Sequence, residues 1–93
     1  MRESELVKSI KAYLGMKQGL FFWKEHGGIY GTGGIPDLIV CYKGKFVALE
    51  CKAKRKNPTV LQQITINKIK KAGGIAACVW SLEDAKAIIE AIE

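Results

Sequence analysis

The spacing of apolar and polar residues along the N-terminal half of the chain predicts one helix followed by three strands. Residues 3–14 place their apolar side chains on one stripe of a helix: Leu6, Val7, Ile10, Tyr13 and Leu14. Residues 20–23, "LFFW", predict a short strand. Two further apolar runs, residues 37–42 and 46–52, are separated by "KGK", which is typical of a hairpin turn.

The C-terminal half predicts a helix, a strand and a last helix. Residues 59–72 begin with Thr59 as N-cap and Gln62 three residues later, which is typical of a capping box, and a glycine pair ends this helix. Residues 75–80 predict a buried strand, and Ser81 predicts the N-cap of the final helix. The order α-β-β-β-α-β-α predicts an α/β fold.

Composition and charge favour a small soluble protein with a polyanionic partner. The 93 residues fit one domain, residues 1–93, without room for a second core. Fifteen basic and nine acidic residues give a net charge of +6, which favours nucleic acid as the partner. No apolar run approaches the roughly 18 residues of a membrane span, and no signal-peptide stretch opens the sequence. We therefore expect no membrane association and a cytoplasmic location.

The cysteines do not predict a metal site. Cys41, Cys51 and Cys78 lack CxxC spacing and lie in apolar runs, so they are expected to be reduced and buried. With His26 as the single histidine, a zinc site is disfavoured.

Glu3 lies at the centre of the apolar stripe of the first helix, whereas Glu5 points to the opposite side. A glutamate near a helix N-terminus is favoured by the helix dipole, and a frayed first turn would explain its place. The stripe alone therefore assigns Glu3 no function.

Five glycines in residues 24–34, "KEHGGIYGTGG", predict a loop. This loop is either a surface connection or a segment that lets a ligand approach the backbone. In the second case Lys24, His26 and Tyr30 are candidate ligand contacts. The residues themselves leave both alternatives open.

The hairpin gathers three charged side chains on one face. A two-residue turn at residues 43–44 would place Asp37 directly opposite Glu50, and a turn one residue later would place it opposite Lys52. In both registers the three side chains share a face, because Glu50 and Lys52 are two residues apart on a strand. The other face then carries side chains suited to a core: Leu38, Val40, Leu49 and Cys51.

Two neighbouring carboxylates repel each other unless a cation lies between them. Oxygen ligands favour Mg²⁺ or Mn²⁺ over zinc, and the backbone carbonyl of Cys51 could add a further oxygen. Lys52 beside such a site could orient a water and stabilise negative charge on a phosphodiester in the transition state. The alternative is a cross-strand salt bridge between Lys52 and Asp37 or Glu50 on a solvated face, and this alternative also stays open.

Two short motifs resemble those of PD-(D/E)xK nucleases, with "PD" at Pro36-Asp37 and "ExK" from Glu50 to Lys52. Within that superfamily, "GGIPDLIV", "ALECKAK", "TVLQQ" and "KKAGGIAACVWSLEDA" closely resemble the virus-type replication-repair nuclease (VRR-Nuc) domain. The resemblance spans nearly the whole chain and implies a restriction-endonuclease-like core with a central mixed sheet flanked by helices. The chain resembles the standalone copies of this domain that are found in phages. A phage origin would place the protein in the cytoplasm of the host cell.

The resemblance implies a role for each matching residue. Asp37 and Glu50 would hold the divalent metal ion, and Lys52 would act on the attacking water. The family has a glutamate of the first helix near the site, which Glu3 matches. It also has a glutamine early in the next helix, for which spacing favours Gln62 over Gln63.

Basic residues predict how DNA is held beside these motifs. Lys54, Arg55 and Lys56 directly follow the strand that carries Lys52, so they are expected to neutralise phosphates without reading bases. Three lysines late in the second helix could extend this surface, although a solvated helix end explains them equally well: Lys68, Lys70 and Lys71. We expect selection of DNA by shape.

Standalone members of the group resemble archaeal Holliday junction resolvases, which act as symmetric dimers. The leading hypothesis is therefore a homodimeric, Mg²⁺- or Mn²⁺-dependent endonuclease that acts on four-way DNA junctions. One alternative is a flap or nicking nuclease, and another is a non-catalytic basic module that binds branched DNA. Candidate surfaces for the dimer are Trp23, Trp80 and the glycine loop.

Overall fold

The computed structural model describes residues 1–26 and 33–93. Its elements are α1 (Glu3–Gly15), β1 (Leu20–Lys24), β2 (Leu38–Tyr42), β3 (Lys45–Cys51), α2 (Val60–Lys71), β4 (Ile75–Val79) and α3 (Leu82–Glu90). The predicted element order and the α/β class are confirmed. None of the helices in these two ranges has the length and apolar character needed to cross a membrane.

The four strands form one mixed sheet in the order β1-β2-β3-β4. The pairs β1–β2 and β2–β3 are antiparallel, and β3–β4 is parallel. A parallel pair needs a crossover connection, and α2 provides it. This helix begins as predicted, because the Thr59 side chain accepts the Gln62 backbone N–H and the Gln62 side chain accepts the Thr59 N–H.

The turn between β2 and β3 fixes the register on which the site depends. Lys43 has φ 51° and Gly44 has φ 76°, as a two-residue type I′ turn requires. Tyr42 therefore pairs with Lys45, and Leu38 pairs with Leu49. This is the first of the two predicted registers.

The larger hydrophobic cluster lies on the sheet face that packs against α1 and α3. Its fully buried side chains come from both helices and from β2, β3 and β4: Leu6, Ile10, Leu14, Leu38, Val40, Val47, Leu49, Cys51, Val79, Ala85 and Ile89. The expected core set of Leu38, Val40, Leu49 and Cys51 lies entirely within it. This packing holds the first turn of α1 against the sheet.

The opposite face is only partly covered. There α2 packs over β3 and β4, around a small cluster of Ile39, Ala48, Ile66 and Ala76. Among residues 1–26 and 33–93, α2 does not reach β1, so these residues leave the same face open towards β1. We call four exposed side chains on it the uncovered face: Phe21, Trp23, Cys41 and Phe46.

Two expectations about burial were wrong. Cys41 is exposed, although Cys51 is buried and Cys78 is half-buried. The reason is that Cys41 pairs with Phe21 and Phe46, outside the reach of α2. The strand β4 is buried at only two of its five positions, because it lies at the edge of the sheet and has a neighbouring strand on one side only.

Gly34 fits the loop before β2 closely against α2. Its φ is +81°, and a Cβ there would lie 2.7 Å from the Thr65 Oγ1 and 2.9 Å from the Leu61 carbonyl oxygen. We expect Gly34→Ala to lower the free energy of unfolding by about 3 kcal/mol, because strain and overlap with backbone add. Gly44→Ala is the control, since its φ is +76° in open space; strain alone costs about 1–2 kcal/mol. Equal losses in urea unfolding would contradict the close packing on α2.

Candidate functional site

Asp37 and Glu50 come together through the hairpin register. Leu38 pairs with Leu49, so one step further along the antiparallel pair Asp37 stands opposite Glu50. The carboxylate of Asp37 is fixed to the neighbouring strand, because its Oδ2 accepts the backbone N–H of Cys51 at 2.8 Å. The two carboxylates are therefore held side by side at the end of the hairpin.

The first turn of α1 adds a third carboxylate. One oxygen each from Glu3, Asp37 and Glu50 lie within 4.8 Å of one another. Glu3 is exposed, Asp37 is half-buried and Glu50 is buried. The buried Leu6 docks the start of α1 on the sheet. Glu3 lies one turn earlier on the same stripe of the helix, so its carboxylate comes to lie beside those of Asp37 and Glu50.

Gln62 connects α2 to the same cluster. Its Nε2 donates a hydrogen bond to Glu50 Oε2 at 3.2 Å, and its Oε1 accepts the Thr59 N–H at 2.8 Å. One side chain therefore serves both the capping box and Glu50. Gln63, by contrast, is exposed and donates to Asn67 Oδ1.

Two lysines approach the carboxylates from different sides. Lys52 Nζ lies 3.9 Å from Glu50 Oε2, and its side chain is only 14% exposed. Lys24 Nζ lies 3.6 Å from Asp37 Oδ1 and also donates to the Glu25 carbonyl at 2.8 Å. Positive charge is thus present beside both hairpin carboxylates.

No protein-family model and no curated protein matches this sequence. Solved structures match it closely in fold. A chain described as "VRR_NUC domain" superposes with a TM-score of 0.80 at 24% identity, covering 97% of this chain and 96% of its own. The chain has the VRR-Nuc fold. A second structure, "VRR_NUC domain protein", gives a TM-score of 0.75 at 15% identity over 97% of this chain and 86% of its own.

Within this VRR-Nuc fold, Glu50 has the most perturbed environment of the cluster. Its side chain is 3% exposed. Burial, together with the neighbouring Asp37 carboxylate, raises the pKa of Glu50 to about 8, although Lys52 opposes the shift. A carboxylate so far from water and so close to others is stabilised in its charged form by an added cation.

The donor set suits a divalent ion with a preference for oxygen. Glu3, Asp37 and Glu50 offer three carboxylates, which are the ligands that Mg²⁺ and Mn²⁺ prefer. The thiol of Cys51 adds no soft ligand, because burial raises its pKa to about 12 and keeps it protonated. The three carboxylates are therefore compatible with a divalent metal ion.

The residues expected to contact DNA fall into three groups. Lys54, Arg55 and Lys56 are exposed in the loop between β3 and α2. Lys24 turns to Asp37 instead of standing free on the surface, and His26 is exposed. Tyr30 lies outside the described residues, as does most of the glycine loop.

Sequence reasoning missed the pairing of Lys24 with Asp37. The available signal was the length of β1: pairing of Lys24 with Leu38 places it next to Asp37, but the sequence predicted that β1 ends at Trp23. The backbone confirms how closely the two segments meet, because the Glu25 N–H donates to the Asp37 carbonyl at 2.7 Å. A predicted β1 that extended to Lys24 would have indicated this contact.

The raised pKa of Glu50 predicts a pH-dependent stability for the metal-free protein. Between its ordinary value of 4.5 and about 8, the folded chain holds a proton that the unfolded chain releases, so the free energy of unfolding falls as pH rises. At pH 8.5 we expect the free energy of unfolding of Glu50→Gln to be about 2 kcal/mol higher than that of the wild type. Near pH 4.5 the two free energies should be equal. Urea titrations in EDTA measure this, with Glu83→Gln on the exposed start of α3 as control. A difference that is independent of pH would contradict the shift.

Proposed function

We propose that this protein is a divalent-metal-dependent DNA endonuclease that hydrolyses phosphodiester bonds and resolves four-way junctions as a homodimer. The observation that carries the proposal is the convergence of Glu3, Asp37 and Glu50 within 4.8 Å, with Lys52 and Gln62 against Glu50, in a VRR-Nuc fold. A cross-strand salt bridge alone needs neither the third carboxylate nor the burial of Glu50.

Glu3, Asp37 and Glu50 would hold Mg²⁺ or Mn²⁺, and the Cys51 carbonyl is the further oxygen proposed for this ion. When bound, the ion supplies Lewis-acid polarisation of the scissile phosphate and a more acidic water. Gln62 fixes the orientation of the Glu50 carboxylate through its 3.2 Å hydrogen bond. Glu50 can then present its oxygens without a search among rotamers.

Lys52 is proposed to act on the attacking water and on the charge that develops at phosphorus. Its ammonium lies at the edge of the carboxylate cluster, 3.9 Å from Glu50, and has three hydrogen-bond donors. In a partly buried site such a donor orients the water by its oxygen and stabilises negative charge in the transition state.

Lys54, Arg55 and Lys56 are proposed to bind the phosphates on either side of the scissile bond. They are exposed, and they begin two residues after Lys52. The turn they form is closed by a hydrogen bond from the Lys56 N–H to the Ala53 carbonyl at 3.0 Å. Phosphate contacts of this kind position DNA without reading its sequence.

The homodimer is proposed to form through the uncovered face. Phe21 is 66% exposed, Trp23 44% and Phe46 45%. Trp23 and Phe46 border a groove of about 300 Å³ between the sheet and α2, in which Glu25 is the one charged lining residue among those described. The occupant we favour is a second copy, because none of the four side chains of this face is charged, whereas the chain as a whole carries +6. Two copies repel least where uncharged surfaces meet, and a two-fold dimer matches the symmetry of a four-way junction.

A cleavage assay tests the proposed function. Wild type and Asp37→Ala are incubated in Mn²⁺ with labelled four-way junction, flap and linear duplex. Paired cuts in the junction by the wild type alone are the expected result. Cutting of the flap alone would favour a flap nuclease, and binding of all substrates without metal-dependent cutting would favour a non-catalytic module; either outcome contradicts junction resolution.

A charged residue in the proposed dimer interface is expected to dissociate the dimer. We expect Phe46→Glu to give the mass of one chain by light scattering and to lose paired junction cuts, because burying the new charge in the interface is unfavourable. Met16→Glu, which is 83% exposed at the end of α1, is the control and is expected to remain dimeric. A dimeric Phe46→Glu protein, or a monomeric wild type, would contradict this interface.

A further inference from the structure

Trp80 lies unusually exposed beside the candidate catalytic lysine. It directly follows β4, at the point where the Lys52 N–H donates to the Val79 carbonyl at 3.0 Å. Because β3 and β4 are parallel and Cys51 pairs with Val79, Lys52 and Trp80 leave the sheet side by side. The tryptophan is nevertheless 41% exposed, and it belongs to neither of the two hydrophobic clusters.

Two hydrogen bonds fix Trp80 in this place. Its Nε1 donates to the Lys56 carbonyl at 2.6 Å, and its backbone N–H donates to Asp84 Oδ2 at 2.9 Å. The polar edge of the indole is thereby attached to the basic turn of residues 53–56. The ring is held in position while a large part of it stays in solvent.

The surroundings of the ring decide between two uses of an exposed aromatic side chain. An apolar neighbourhood would favour a protein partner, as at the uncovered face. Trp80 instead stands against a loop whose exposed side chains are Lys54, Arg55 and Lys56, and a second copy of a +6 chain is repelled there. Aromatic rings among phosphate-binding cations are the arrangement by which proteins hold single-stranded nucleic acid, because each base has a face that can stack on the ring.

We infer that Trp80 stacks on an unstacked DNA base next to the phosphate bound at the site. The inference rests on the proposed function, and it narrows the substrate to DNA that offers such a base close to the scissile bond. Within a continuous duplex both faces of each base are covered by neighbours. A branch point, a flap or a single-stranded segment exposes one, so Trp80 would contribute the preference for DNA shape that phosphate contacts alone do not supply.

Intrinsic fluorescence tests the stacking directly, because the chain has only two tryptophans. Trp23→Phe leaves Trp80 as the sole tryptophan, and Trp80→Phe leaves Trp23. Each protein is titrated in EDTA with a 12-residue oligothymidylate, a four-way junction and a blunt duplex. We expect the single-stranded DNA and the junction to quench Trp80 in the first protein, while Trp23 in the second changes little.

The affinities of two variants for the same three DNAs distinguish base stacking by Trp80 from a role in which its hydrogen bond only positions the loop. Trp80→Phe loses the hydrogen bond to Lys56 but keeps a ring, whereas Trp80→Leu loses both. We expect Trp80→Leu to bind oligothymidylate about 5- to 100-fold more weakly, the loss typical of one base stack, and Trp80→Phe to stay within about threefold of the wild type. Blunt duplex should distinguish the two variants little.

Bound DNA with unchanged Trp80 fluorescence would overturn the inference and leave the proposed nuclease intact. Equal loss of affinity in the Phe and Leu variants, with thermal unfolding as in the wild type, would likewise overturn stacking in favour of loop positioning. Failure of the wild type to bind any of the three DNAs, both in EDTA and in Mn²⁺, would remove the proposed function and the inference together.

Discussion

Asp37→Asn is expected to abolish metal-dependent cleavage, lowering the rate at least about a thousandfold, or about 4 kcal/mol of transition-state stabilisation. The asparagine keeps the size of the side chain and can still accept the Cys51 N–H that Asp37 accepts at 2.8 Å, so the fold should persist. What it loses is the negative charge next to Glu50. Cleavage of a labelled junction and calorimetric titration with Mn²⁺ measure the two consequences.

Glu5→Gln is the matched control for this loss of one negative charge. Glu5 is exposed in the same turn of α1 as Glu3 but lies outside the carboxylate cluster. It should cut and bind Mn²⁺ as the wild type does, and Glu3→Gln should fall between the two variants because Glu3 is the most exposed member. An Asp37→Asn protein that cuts as fast as the Glu5→Gln control would contradict a metal-holding role for Asp37.

Lys52→Met should reduce cleavage about 100- to 10,000-fold while leaving Mn²⁺ binding largely intact, the range expected for loss of a positioned proton-transfer or charge-stabilising group. The methionine retains the apolar stem, whose burial leaves the lysine side chain only 14% exposed. The loss should appear in the rate under saturating DNA, since Lys52 is proposed to act mainly in the transition state.

Lys54→Met removes the same charge two residues further on, where the side chain is exposed in the basic loop. It should weaken binding of DNA and reduce the salt dependence of that binding by about one ion, with little effect on the saturated rate. Single-turnover cleavage at saturating DNA distinguishes the two variants. Indistinguishable kinetics would mean that Lys52 contributes only as another phosphate contact.

The local order of the chain was predictable because its signals agree with one another. The KGK turn, the alternation in both hairpin strands and the Thr59 capping box each specify a boundary, and together they fix the element order. Limiting the turn to two residues narrowed the register without fixing it. The sequence left two registers open, and the left-handed conformation of both Lys43 and Gly44 selects one of them.

Contacts between distant segments were less predictable, because they depend on how far a helix or strand extends. Exposure of Cys41 follows from the reach of α2, which no alternation within β2 reveals. Pairing of Lys24 with Asp37 required one more residue in β1. Gln62 is informative in a different way: the sequence offered capping and a site contact as separate roles, and the two ends of one amide make both contacts.

The position of a bound metal ion is the sharpest test of the proposed active site. Crystals grown with Mn²⁺ and measured near its absorption edge would give an anomalous difference map in which the ion is located independently of the protein atoms. We predict a peak in contact with the carboxylates of Asp37 and Glu50, with Glu3 close by. A map whose manganese peaks all lie away from these carboxylates, at a concentration that supports cleavage, would contradict the proposed active site.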